Sequence, residues 1–99
     1  MKKVKVTQTA REDMRDIVTN LANMDLTAAV NVLNAIDEKI ELLKHSPNIG
    51  FLPKDDILVN KGYKLLTAYN YLIFHVELVD CIEVRYVIHG SCDYAGLVK

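Results

Sequence analysis

The side chains that could do chemistry lie mostly in the last third of the chain. The stretch from Asn70 to Tyr94, NYLIFHVELVDCIEVRYVIHGSCDY, contains two apolar runs around a short polar break. Histidine and arginine recur within these runs, and all five tyrosines of the chain lie between Tyr63 and Tyr94. Side chains of these types transfer protons and stabilise negative charge. Their use depends on whether the fold brings them to one surface.

The apolar pattern of this stretch predicts a β-hairpin and its register. A one-residue slip would move every apolar side chain to the other face, so the favoured pairing is the one that groups them. That pairing sets Leu78 opposite Ile82. It predicts an apolar face that packs on the helices, formed by Leu72, Phe74, Val76, Ile82, Val84, Tyr86 and Ile88.

The other face of the predicted hairpin carries the polar side chains. Tyr71 is expected opposite His89, and His75 opposite Arg85, while Glu77 would face Glu83 in an unfavourable pair of like charges. We call this surface the open face; with the neighbouring strand described below, it comprises Lys64, Leu66, Ala68, Tyr71, Ile73, His75, Glu77, Glu83, Arg85, Val87 and His89.

A tight turn at Tyr69–Asn70 adds the preceding strand to the open face and places Lys64 near His75. Two interpretations of this face remain open. Antiparallel sheets commonly leave one face polar, so it can be a solvated or partner-covered surface. Alternatively, convergence of lysine, histidine, arginine and tyrosine would make it a reactive site.

The rest of the chain supplies the elements that must position these residues. The alternating segment Lys3–Thr7 predicts a strand, and Thr9 with Glu12 matches a capping box for a helix that runs to about Asn23. Asp25 can cap a second helix, which HSPNIG at positions 45–50 ends. The resulting order β-α-α-β-β-β predicts an α+β fold in which an antiparallel sheet packs against a two-helix hairpin.

Composition restricts the class of protein. The 99 residues are expected to form one domain, 1–99, because the chain is too short for two cores. A formal net charge of −1 gives no general attraction to nucleic acid. No membrane span or signal peptide is predicted, which indicates a cytoplasmic protein.

No cofactor or metal ion is expected from the motifs. The three histidines lack the helical i, i+4 spacing of a zinc site, and the four glycines form no nucleotide-binding loop. Cys81 and Cys92 lie too far apart along one predicted strand to form a disulfide, so both are expected to be free thiols.

Several segments together resemble the RelE/ParE superfamily of bacterial toxins. They are SPNIG after the second helix, GYKLL, NYLIFHV and above all IEVRYVIHGSCDYAGLV. The resemblance covers nearly the whole chain. It implies the toxin of a type II toxin–antitoxin module for plasmid stabilisation or stress response, whose partner is a cognate antitoxin. Targets in this superfamily are DNA gyrase for ParE-like members and ribosome-bound mRNA for RelE-like members.

Two activities, and a loss of activity, are compatible with the resemblance. A metal-independent mRNA endonuclease would use Lys64, Arg85, His89 and Tyr94 as acid, base and phosphate-binding groups. Relatives that cleave RNA often carry arginine at the positions of Tyr71 and Cys92, and without these guanidiniums two bidentate phosphate donors are missing. This departure favours a ParE-like toxin that binds gyrase. A degenerate, non-toxic member is the third alternative.

The antitoxin is expected to cover apolar side chains on the open face. We predict a target- or antitoxin-binding surface, because a segment that folds on binding covers such a mixed patch. Its predicted members are Leu66, Tyr71, Ile73, His75 and Val87.

Overall fold

The computed structural model describes residues 2–98 and has the predicted order of helices and strands. One short helix, α3, is added in the segment between α2 and the sheet. The elements are β1 (Lys3–Val6), α1 (Gln8–Ala22), α2 (Leu26–His45), α3 (Asp56–Asn60), β2 (Tyr63–Ala68), β3 (Tyr71–Glu77) and β4 (Cys81–His89).

Side-chain caps explain where the two long helices begin. Asp25 caps α2 as predicted, since its carboxylate accepts a hydrogen bond from the N–H of Ala28 at 3.2 Å. The capping box predicted at Thr9 is wrong. Thr7 is the N-cap of α1, and its hydroxyl accepts from the N–H of Ala10. Thr7 also donates this hydroxyl to the carbonyl of Arg85 at 3.2 Å, so one side chain joins the start of α1 to β4.

The four strands form one sheet in the order β1-β4-β3-β2. The pairs β2–β3 and β3–β4 are antiparallel, as expected, whereas β1 lies parallel to β4 and makes the sheet mixed. The fold class is therefore confirmed, with a parallel edge strand as the refinement. Within residues 2–98, no helix has both the length and the apolar character needed to cross a membrane.

Two hydrophobic cores lie on opposite faces of the sheet. The first core lies under α1 and α2 and contains Ala10, Val32, Ile36, Leu43, Leu66, Ala68, Ile73, Ile82, Val84 and Val87. The second core contains Leu58, Tyr63, Leu65, Phe74, Val76 and Val98, with Leu72, Tyr86, Ile88 and Tyr94 packed around it. Residues of the segment after α2 and of the C-terminal segment thus cover the face that the helices leave.

This arrangement corrects the predicted orientation of the hairpin. Leu72, Phe74 and Tyr86 were expected to meet the helices but belong to the second core. Ile73 and Val87 were expected on an open face but are buried in the first core. Each face of the hairpin carries enough apolar area to be buried, so the alternation of residue types did not distinguish them.

A β-bulge in β4 explains the rest of the difference. The predicted register holds from Tyr71 opposite His89 to Phe74 opposite Tyr86, and then His75 pairs with Val84 instead of Arg85. The shift places Arg85 as the extra residue of the bulge. Beyond it, Glu77 lies opposite Ile82, and Glu83 lies opposite Val76. The unfavourable Glu77–Glu83 pair is thereby avoided.

Candidate functional site

Lys64 and His75 lie side by side at one end of the sheet, as the turn at Tyr69–Asn70 predicted. His75 is only 2% exposed, and its Nε2 atom has no hydrogen-bond partner among residues 2–98. Burial, and secondarily the charge of Lys64, lower the pKa of His75 to about 4. The imidazole is therefore neutral at pH 7. Both residues line a cavity of about 230 Å³ at the edge of the first core.

Arg85 is engaged by its own neighbours. Its Nε donates to the Glu83 carboxylate at 2.9 Å, and its Cζ atom lies 5.7 Å from the centre of the Tyr63 ring. The hydrogen bond that Arg85 donates to the Tyr63 hydroxyl, and to a lesser degree the one it donates to the Glu83 carboxylate, raise the pKa of Arg85 above its ordinary value, against the opposing effect of burial. Since Tyr63 belongs to the second core, Arg85 projects to the side of the sheet away from α1 and α2.

His89 ends β4 and interacts with Tyr71 and Ser91. Its ring stands edge-to-face on that of Tyr71, with centroids 5.3 Å apart. Its Nδ1 accepts from the backbone N–H of Ser91 at 3.1 Å and lies 2.6 Å from the Ser91 hydroxyl. Both contacts hold the Nδ1 edge of the His89 ring against the residues that follow β4.

Tyr94 packs in the second core. Its ring centre lies 5.0 Å from that of Phe74, so it serves there as an apolar contact. A cleft of about 290 Å³ borders it and is lined by further apolar residues, among them Phe51, Leu52 and Leu72.

The four residues predicted for RNA cleavage do not converge. Lys64 and His89 lie on the helix side of the sheet, whereas Arg85 and Tyr94 lie on the other side. Lys64 is level with His75, and His89 is level with Tyr71, which separates them by about 13 Å along β3. Of the lysine, histidine, arginine and tyrosine side chains expected to share the open face, Arg85 is the one that the structure places on the other side, whereas Lys64, Tyr71, His75 and His89 share one side of the sheet as expected. The catalytic roles themselves stay predictions.

The predicted binding patch is also placed differently from the expectation. Leu66, Ile73 and Val87 are buried in the first core, beneath the helices, and are not available to a partner in this fold. His75 is likewise buried. Tyr71 alone of the five is partly exposed, where it meets His89.

Two features of the structure had no clear signal in the sequence. One is the link between Asp13 and β4, in which a helix carboxylate accepts from the N–H of Val87. The other is Tyr69, a bulky residue with a φ of +54° in the β2–β3 turn. Glycine, asparagine or aspartate would have indicated this conformation, but tyrosine does not.

The described residues form a small α+β fold, in which two helices pack on one face of a mixed four-stranded sheet. Residues 4–94 match the family model described as the ParE toxin of the type II toxin–antitoxin system parDE. This chain belongs to that family.

A solved structure has the same fold. It is a chain of the chromosomal ParDE toxin–antitoxin system from P. aeruginosa, similar with a TM-score of 0.74 over 90% of this chain and 96% of that one. The identity is 16%, so this likeness concerns the fold alone. No functionally curated protein sequence matches the chain.

Proposed function

We propose that this protein is a ParE-like toxin that inhibits DNA gyrase by binding it, and that a cognate antitoxin neutralises it. Membership of the ParE family supports this assignment. The observation that carries the choice against RNA cleavage is the dispersal of Lys64, Arg85, His89 and Tyr94 over both faces of the sheet.

RNA cleavage requires its acid, base and phosphate-binding groups around one phosphodiester. A general base must reach its proton at about 2.6–3.2 Å, and the acid and the cation act on the same phosphorus. The sheet itself separates Lys64 and His89 from Arg85 and Tyr94. This separation supports a toxin that acts by binding over one that cleaves RNA with these four groups.

The electrostatic state of the candidate groups points the same way. The Arg85 guanidinium already donates through Nε to Glu83 and contacts Tyr63, so part of its donor capacity is used within the fold. On His89, the Nδ1 atom is already engaged by the backbone N–H and the hydroxyl of Ser91. A toxin that acts by binding needs neither group to be free.

A supercoiling assay tests the proposal directly. Purified wild-type protein is added to gyrase from the bacterium that carries the gene, with relaxed plasmid and ATP. We expect concentration-dependent inhibition of supercoiling, retained in Lys64→Ala and in Tyr94→Phe. Premixing the toxin with the product of the neighbouring antitoxin gene should abolish inhibition.

Transcript 5′-end mapping after brief induction provides the opposing test. We expect growth arrest without new cuts inside translated codons. Codon-phased cuts that disappear in Lys64→Ala, together with unaffected gyrase, would overturn the proposal in favour of RNA cleavage. Harmless overexpression of folded protein would instead indicate a non-toxic member.

A further inference from the structure

Tyr69 occupies an unfavourable backbone conformation in the exposed β2–β3 turn. Its φ is +54°, and it is the one non-glycine residue with positive φ between positions 2 and 98. For a bulky side chain this region is an outlier, because Cβ crowds the backbone. In two-residue hairpin loops the position is typically taken by glycine, asparagine or aspartate.

The side chain of Tyr69 gains nothing inside the fold that would offset this strain. It is 65% exposed. Among the described residues, its hydroxyl makes no side-chain hydrogen bond and its ring stacks on no other ring, in contrast to Tyr71 two residues later. An exposed aromatic ring on a strained turn is the kind of feature that persists at functional sites.

A cleft of about 350 Å³ lies directly beside Tyr69. Its walls come from the β2–β3 turn and from the end of β4, and these two parts are tied together because Gly90 N–H donates to the Asn70 carbonyl at 2.7 Å. A Cβ atom on Gly90 would lie 3.1 Å from that carbonyl, a tight contact that glycine avoids. The cleft is therefore formed before any partner arrives.

The lining of the cleft distinguishes a protein partner from a nucleic acid. Its polar groups are the side chains of Thr67, Asn70, His89 and Ser91, and it contains no lysine, arginine, aspartate or glutamate among residues 2–98. The electrostatic attraction that supplies most non-specific affinity for nucleic acids comes from lysine and arginine side chains that neutralise phosphates, and the cleft has neither among the described residues. A lining of tyrosine, asparagine, serine and glycine is typical of surfaces that recognise proteins.

We infer that Tyr69 and the adjacent cleft of Thr67, Asn70, His89 and Ser91 form the surface with which this protein contacts its protein target. The inference rests on the proposed function and names gyrase as the occupant. Tyr69 inserts its ring into the gyrase surface as the central apolar contact. The uncharged cleft beside it accepts a side chain of gyrase.

The decisive variant is Tyr69→Gly, because it separates a contact role from a structural one. Glycine adopts positive φ without strain, so the melting temperature should stay equal or rise. The concentration for half-inhibition of gyrase supercoiling should increase at least tenfold. Tyr69→Phe, which keeps the ring, should stay within about threefold of wild type.

The matched control is Val79→Ala at the opposite end of β3. Val79 is 95% exposed in the β3–β4 turn. Its substitution therefore also removes an exposed apolar side chain from a turn of the same sheet. We expect its inhibition of gyrase to equal that of wild type.

Binding to a fluorescein-labelled DNA duplex tests nucleic acid as the alternative partner. We expect no binding that depends on Tyr69.

Each remaining outcome overturns a defined statement. Full inhibition by folded Tyr69→Gly would overturn the inference while leaving the gyrase proposal intact. If Tyr69→Gly still inhibits gyrase but is no longer neutralised by the antitoxin from the neighbouring gene, the surface binds the antitoxin, and gyrase as its occupant is overturned. Tyr69-dependent binding to the DNA duplex would overturn the choice of a protein partner. Absence of inhibition by wild type would overturn both proposals.

Discussion

Asp13 on α1 accepts a hydrogen bond from the backbone N–H of Val87 on β4, with its Oδ2 atom 3.0 Å from the nitrogen. Val87 follows the bulge at Arg85, where the ladder to β3 is interrupted and the backbone groups of β4 are displaced. The helix thus supplies an acceptor at the point where the sheet is irregular. Together with Thr7, it ties the start of α1 to the bulged strand.

We expect two substitutions of Asp13 to affect the free energy of unfolding differently. Burial raises its pKa despite the opposing hydrogen bond from Val87, so the ionised form is disfavoured in the folded state. Asp13→Asn keeps an oxygen acceptor and removes the charge, and should leave the free energy of unfolding at pH 7 unchanged or higher. Asp13→Ala leaves the Val87 N–H without its acceptor and should lower that free energy by about 1–3 kcal/mol.

The sign of the Asp13 effect is checked by urea denaturation at several pH values. Because the folded-state pKa is raised, the ionised carboxylate costs stability above that pKa, and the cost disappears as the group becomes protonated on acidification. Any advantage of Asp13→Asn over wild type should therefore shrink as the pH falls through the raised pKa of Asp13 and be gone below about pH 4, near the pKa of an unfolded aspartate. An advantage that grows on acidification would contradict this account.

Acid should destabilise the fold through His75. Its pKa is lowered to about 4 in the folded protein, whereas an unfolded histidine titrates near 6.5. The depressed pKa contributes stability above about pH 6.5, and this contribution is lost as the pH falls through about 4, with an upper bound of about 3 kcal/mol. Wild type should lose stability more steeply over this window than His75→Leu. Parallel curves would show that His75 is not the group responsible.

Gly50 and Gly62 form a matched pair for testing close packing. Both have positive φ, at +116° and +88°. A Cβ at Gly50 would lie 2.9 Å from the Leu65 carbonyl and 3.2 Å from His75 Nε2, whereas one at Gly62 would meet no atom within 4 Å. Gly50→Ala should cost about 2 kcal/mol or more, and Gly62→Ala about 1 kcal/mol of backbone strain. Equal losses in thermal unfolding would contradict the role of close packing.

The two cysteines should differ in reactivity. Cys81 is buried at the start of β4 and Cys92 is exposed, and both are free. A thiol reagent should modify one cysteine in the native protein within minutes and both in denaturant. Cys92→Ser should remove the fast reaction, while Cys81→Ser should leave it unchanged. Two fast thiols in native protein would mean that β4 opens at its first residue.

Local patterns in the sequence determined the elements and their immediate connections. Apolar periodicity located both long helices, Asp25 marked the start of α2, and the Tyr69–Asn70 turn set Lys64 beside His75. The pairing of Tyr71 with His89 also followed from pattern alone. These features depend on residues near one another in the chain or joined by a short turn, so the types of the neighbouring residues suffice to predict them.

Only the tertiary structure decided which face of the sheet meets the helices. Ile73 and Phe74 are adjacent and both fully buried, one in each core, because the helices cover one face and the segments around Leu58 and Val98 cover the other. The bulge at Arg85 is likewise a long-range outcome, since it depends on how Asp13, Thr7 and Tyr63 meet β4. Alternation along a strand shows which side chains share a face of the sheet. When both faces are apolar, it does not show which of them packs against the helices, because that depends on the segments that cover each face.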